Sequence, residues 1–241
     1  MKHFLILTLS LISFNGISQE QLYKVTLLRA KPGELLNVID KINQDVKRHS
    51  NFLDHEPYLL RHSQGDHWDL MLIYPIQELD KYFSNSAINK RSASQTIEKK
   101  YGDAFFDLIA FQEEAIVAGP DQESFIEALS SYQLFHIEIF TALAGKQAEL
   151  EKQRKMENEY YSHIDHRPNM IFTRVFGASW DNFTIGAYTD MHDFAGPEVS
   201  FEAEDEAAKK AGFEGVNYIG SYLRSLISGH HDTLAWKVER D

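Results

Sequence analysis

Two short segments, far apart in the chain, carry the side chains best suited to chemistry. His136 and Glu138 lie in the run Phe135 to Phe140, where large apolar and polar residues alternate with the period of a strand. Side chains alternate across a strand, so His136 and Glu138 share one face, opposite Phe135, Ile137 and Ile139. The second segment is His230-His231-Asp232, just ahead of a strand expected over 233–238. Imidazole and carboxylate oxygen are good ligands for Zn or non-haem Fe, whose sites commonly combine two His with one carboxylate. If the two segments meet across a cavity, His136, Glu138, His231 and Asp232 form a candidate metal set for Zn or Fe. The competing reading is a solvent-facing strand pair beside a polar loop. A single-helix H-E-x-x-H motif is absent.

A second group of candidates repeats. Asp54-His55-Glu56-Pro57 and Asp165-His166-Arg167-Pro168 share the pattern Asp-His-x-Pro at an offset of 111. Asp closes local turns on backbone N–H groups and Pro blocks a helix from continuing, so turn chemistry explains both. His55 and His166 are left over as ligand-binding candidates or as cations at a helix C-terminus. Trp68-Asp69 recurs as Trp180-Asp181 at an offset of 112, as do Gly33 with Gly145 and Gly65 with Gly177. Trp68 and Trp180 suit either core packing or the aromatic wall of a pocket. Matches of uncommon residue types in the same order indicate an internal duplication. The expected boundaries are a first repeat over 23–118, a linker over 119–132 and a second repeat over 133–239.

Each repeat must then supply the elements that position these residues. In the first, Tyr23, Val25 and Leu27 mark a strand; Lys31-Pro32-Gly33 turns the chain. Glu34 to His49 places Leu35, Val38, Ile39, Ile42 and Val46 at helical spacing. Tyr58 to His62 and Trp68 to Tyr74 predict a hairpin, followed by an interrupted helical region and a last strand near Ala115 to Ala118. The second repeat predicts a strand over Phe135 to Phe140, a helix over Lys146 to Tyr161, strands over Met170 to Val175 and Trp180 to Tyr188, more helix, and the final strand. The helix from Lys146 to Tyr161 is rich in Glu, Lys, Gln and Arg where its twin has an apolar stripe, so it packs shallowly or meets a partner. The acidic stretch Glu198 to Glu206 leads into a helix peculiar to the second repeat and lacks EF-hand spacing.

The order β-α-β-β-α-β, twice, defines an α+β chain of two fused ferredoxin-like repeats. In layout it resembles the tandem form of the dimeric α/β-barrel superfamily, similar to NIPSNAP-type and antibiotic-biosynthesis-monooxygenase-type domains. That resemblance implies an intrachain dimeric α/β barrel with a cavity between two sheets, and carries no residue assignments. It also implies a range of activities, since the superfamily includes small oxygenases, haem enzymes and plain binders.

Composition narrows the rest. The chain has 241 residues and a formal charge of −12, which disfavours nucleic acid and anionic lipid as partners. Its lack of cysteine excludes disulfides, thiolate metal sites and a Cys nucleophile. Lys2, the apolar run Phe4 to Phe14 and Gly16-Ile17-Ser18 read as a signal peptide over 1–18, too short to span a bilayer, so a periplasmic or extracellular protein with no membrane attachment after cleavage is expected. P-loop, G-x-S-x-G and dinucleotide glycine motifs are absent. Three functions stay open: an exported binder of a small, partly apolar or aromatic molecule, an oxygenase-type enzyme that is metal-dependent or cofactor-independent, and an interaction module built on the polar helix. A homo-oligomer is compatible with each.

Overall fold

A computed structural model describes residues 21–49, 57–76, 78–92 and 104–239. The expected signal peptide, Asp54 and His55 lie outside them. The elements are β1 (Gln21–Ala30), α1 (Leu35–His49), β2 (Tyr58–Gln64), β3 (Leu70–Ile76), α2 (Leu79–Tyr82), α3 (85–92), α4 (Ala104–Asp107), β4 (Ile109–Gly119) and α5 (Gln122–Ser131). The second half continues with β5 (Leu134–Ala142), α6 (Gln147–His163), β6 (Met170–Gly177), β7 (Asn182–Tyr188), α7 (Met191–Ala195), α8 (Phe201–Lys210), α9 (Val216–Leu226) and β8 (Ile227–Lys237).

The strands close into one antiparallel barrel in the order β1-β3-β2-β8-β5-β7-β6-β4. Each half contributes four neighbouring strands in the ferredoxin-like order, and the halves meet at two seams, β2 with β8 and β4 with β6. Closure leaves no bare sheet edge. The registers of the halves coincide: Thr26 faces Leu72 and Glu114, while Glu138 faces Thr184 and Asp232. Alternation then sends Tyr23, Val25, Phe135, Ile137, Phe172 and Phe183 into the barrel, all fully buried. Phe172 stacks on Phe183 at 4.5 Å, and Tyr23 meets Phe125 and Phe172 edge-on. The space between the two sheets is thus a packed core, and the expected between-sheet cavity gives way to it because large aromatics from both halves interdigitate there.

The repeated residues are mostly devices of this frame. Asp69 and Asp181 accept from the backbone N–H of Ala30 and Ala142, fixing the ends of β1 and β5. Gly65 and Gly177 have positive φ, and a Cβ at either would strike the backbone carbonyl of Asp232 or Glu114 across a seam. Asp165 adopts φ 57° just beyond α6, and His166 N–H returns to the Tyr161 carbonyl, so this copy of Asp-His-x-Pro ends a helix.

Two expectations are corrected. β4 and β8 are far longer than the apolar runs that signalled them, because they pair along the whole of β1 and β5. His230, His231 and Asp232 therefore sit within a strand, not in a loop before one. The polar helix α6 is not shallowly packed either. Its outer side is covered by α8 and α9 through Tyr160, Ala207, Ala208 and Phe213.

Candidate functional site

The outer face of each half-sheet packs on a long helix. In the first half this layer is apolar: Val38, Ile39 and Ile42 of α1 lie on Leu28, Leu59, Leu70 and Leu72. In the second half only Leu150 with Phe140 and Ala142 keeps that character. Further along, the matching positions are charged or polar: Arg154 stands where α1 has Ile42, Thr184 where β3 has Leu72, and Glu138 where β1 has Thr26.

Arg154 and Gln153 are buried although they belong to the most hydrophilic helix of the chain. The Arg154 guanidinium lies 3.7 Å from Glu138 Oε2, pairs closely with Glu157 Oε2, and stacks over the Phe140 ring at 4.6 Å. Its Nε donates to Gln153 Oε1 at 2.7 Å, and the Gln153 amide donates to Glu157 at 3.1 Å. Tyr161 donates to Glu157 Oε1 at 3.0 Å, and Thr184 donates to Glu138 Oε2 at 3.2 Å. The helical spacing 150, 153–154, 157 and 161 aligns this stripe on the sheet.

One side of the layer brings polar groups close to the strand. A Cβ at Gly186 would lie 2.7 Å from Asn169 Oδ1 and 2.8 Å from the Tyr188 hydroxyl, so the missing side chain lets both groups approach the strand. Asn169 Oδ1 is buried with no hydrogen-bond partner among the described residues. Phe194 of α7 covers this end, 5.2 Å from the His136 ring and 5.1 Å from Tyr188. α7 is held by Arg167, which pairs with Asp193 and holds that carboxyl down at about 2.

Burial pushes the Glu138 carboxyl above the usual carboxylate range; Arg154 and His136 oppose this, and the nearby charges of Glu157 and Asp232 add to it. Burial also raises the phenols of Tyr161 and Tyr188, and Glu138 contributes to both shifts. A carboxyl that binds its proton more tightly than usual, beside two protonated phenols, is suited to general acid–base work.

Among the sequence candidates, His136, Glu138 and Asp232 come together on this face, with His136 Nε2 3.5 Å from Asp232 Oδ1. His231 does not join them. It projects from the other side of β8 and lies 3.6 Å from Asp66. The face that carries His136 and Glu138 is the helix side of the sheet, and the cation beside Glu138 is Arg154. Among the described residues no three His, Asp or Glu side chains are grouped to hold a metal ion, so the donor set does not fit the expected Zn or Fe. Trp68 and Trp180 belong to the barrel core, away from this layer. His166 is nearer, stacked on Tyr161 at 6.0 Å. Sequence reasoning missed Arg154, Glu157, Tyr161, Thr184 and Tyr188. Aligning the halves at the offset of 112, which sets Ile42 against Arg154, Leu72 against Thr184 and Ile76 against Tyr188, was the signal that could find those three; Glu157 and Tyr161 fall on Asp45 and His49 and carried none.

The fold is a tandem dimeric α/β barrel within one chain, with four neighbouring strands from each half. Superposition on known structures matches an anthrone oxidase-like protein at a TM-score of 0.60, with 10% identity over 92% of each chain. A chlorite dismutase variant from Candidatus Nitrospira defluvii matches at 0.47, with 11% identity over 90% of this chain and 92% of that one. No family model matches the sequence, and no curated protein matches it.

Proposed function

We propose that the layer between α6 and the outer face of β5, β7 and β8 is a small-molecule site, and that Glu138 is its proton acceptor. The observation that carries this reading is the Glu138–Arg154–Glu157 cluster, in which Arg154 stands where the other half has the buried Ile42 and the neighbouring Thr184 stands where it has Leu72. Tyr161, Tyr188 and Phe194 suit an aromatic ligand, and the unpartnered Asn169 Oδ1 accepts from a ligand hydroxyl. A molecule with an acidic C–H or O–H, seated there, would lose its proton to Glu138.

The oxygenase reading follows from the same residues. An activated carbon acid, once deprotonated, is oxidised by dioxygen without metal or cofactor, and the tandem-barrel likeness to an anthrone oxidase-like protein supports trying that class first. For anthrone, the ring CH2 becomes C=O and one O2 yields one water. The test is oxygen uptake by the purified chain with anthrone, alongside anthraquinone binding by tyrosine fluorescence. Wild type accelerates uptake, and Glu138→Gln lowers the rate by roughly 10²–10⁴-fold, the usual worth of a positioned base. Binding without uptake would leave a binder. Neither binding nor uptake, or full activity in Glu138→Gln, would refute the assignment. Residues 1–18 support export, which N-terminal sequencing of secreted product would test by a mature end near Gln19.

A further inference from the structure

The two barrel seams are built from equivalent residues, yet one of them lacks an acceptor. At the β4–β6 seam, Glu113 Oε2 accepts from Trp180 Nε1 at 3.0 Å, and its Oε1 accepts from the backbone N–H and hydroxyl of Ser179 at 3.0 and 3.1 Å. At the β2–β8 seam the counterpart of Trp180 is Trp68 and that of Ser179 is His67. The counterpart of Glu113 is His231, because Leu27 faces Glu113 in the register where Ile139 faces His231.

Asp66 replaces half of the missing carboxylate. Its Oδ1 accepts from the His67 backbone N–H at 2.6 Å, contacts His67 Nδ1 at 2.6 Å, and lies 3.6 Å from His231 Nδ1. Nothing among the described residues replaces the other half. Trp68 is fully buried and its Nε1 has no partner. His62, where the other seam has Arg174, has its ring 5.7 Å from Trp68, and its buried Nε2 is also unpartnered. Two orphaned ring nitrogens in one place are costly to leave bare.

We propose that the β2–β8 seam is a binding site for a small free carboxylate, whose oxygen takes the place that Glu113 fills at the other seam. Trp68 Nε1 donates to it, and His62 Nε2 donates to its second oxygen. The charged groups facing the place are Asp66 and His67 on the β2–β3 turn, His62 on β2 and His231 on β8. Three imidazoles face a single carboxylate there, so an added anion meets ring N–H donors as well as the Asp66 charge. The site is separate from the Glu138 layer and does not depend on it.

The experiment is an acetate titration, with a chloride control, followed by the indole N–H resonances of Trp68, Trp180 and Trp236 near pH 6; Trp68→Phe supplies the assignment. Acetate is expected to shift Trp68 saturably and to leave Trp180, already bonded to Glu113, in place. His231→Glu restores the missing carboxylate and should abolish the response. The reciprocal Glu113→His should make Trp180 respond to acetate, and it tests the idea independently should His231→Glu fail to fold. A Trp68 resonance indifferent to acetate, a parallel drift of all three indoles, or an undiminished response in folded His231→Glu would overturn the proposal.

Discussion

The two helix–sheet layers of this chain are the same construction carried out with opposite chemistry. In the first, Val38, Ile39 and Ile42 close over leucines, each buried aliphatic group contributing about 1.5–3 kcal/mol. In the second, a guanidinium and two carboxyls occupy the equivalent space. Burying ions costs several kcal/mol each, and well-packed apolar residues are often as good or better for stability. The first layer demonstrates that an apolar solution folds in this topology. Under the proposed function the second keeps its charges for Glu138, whose proton affinity burial raises.

The largest break in the comparison comes from Arg154. Arg154→Ala strands Glu138 and Glu157 without a cation and should cost about 3–5 kcal/mol in urea unfolding. Its twin, Ile42→Ala, costs about 2–5 kcal/mol through a cavity. The two losses differ in kind: adding Glu138→Gln and Glu157→Gln should recover much of the first, and no charge removal should recover the second. Equal losses with no recovery would mean that Arg154 acts only as bulk.

The seams give a smaller contrast. Glu113→Ala orphans the buried Trp180 Nε1 and should cost about 1–3 kcal/mol, whereas His231→Ala, at an exposed ring with no bond to Trp68, should stay within about 0.5 kcal/mol. Reversal of that order would contradict the register equivalence of Glu113 and His231.

The smallest effect is a pH dependence. The folded state raises the Glu138 carboxyl above its unfolded value, chiefly by burial, so the folded chain holds the proton more tightly. The associated stability is present below the ordinary carboxylate range and is lost as pH rises through the raised value. Comparing the stability-versus-pH curves of wild type and Glu138→Gln should show that loss in wild type alone. A wild-type curve with no excess loss would mean that Arg154 fully compensates the burial.

Much of this frame was legible in the sequence. The offset of 112 that joins Trp68 to Trp180 and Asp69 to Asp181 follows from equivalent hydrogen bonds to Ala30 and Ala142, so the repeated letters record repeated geometry. His136, Glu138 and Asp232 were found because divergence between copies is visible without knowing the fold. What could not be read was the side of the sheet they occupy. Strand alternation says which residues share a face, but whether that face meets a helix or the barrel interior depends on how the two halves close. Helix α6 was opaque for a related reason: its polar stripe is buried against the sheet, while its outer side is covered by α8 and α9, so neither face shows the apolar stripe against solvent that marks α1.

The most direct measurement is the unfolding free energy of a chain whose second layer has been rewritten towards the first. Glu138→Thr, Arg154→Ile and Thr184→Leu install the residues of Thr26, Ile42 and Leu72, and Glu157→Gln removes the charge left behind. Urea denaturation at neutral pH should show this fourfold variant as stable as wild type, or more stable by about 1–4 kcal/mol. A loss of several kcal/mol would mean that the buried charges hold the fold together, and the reading of this layer as a functional site would fail.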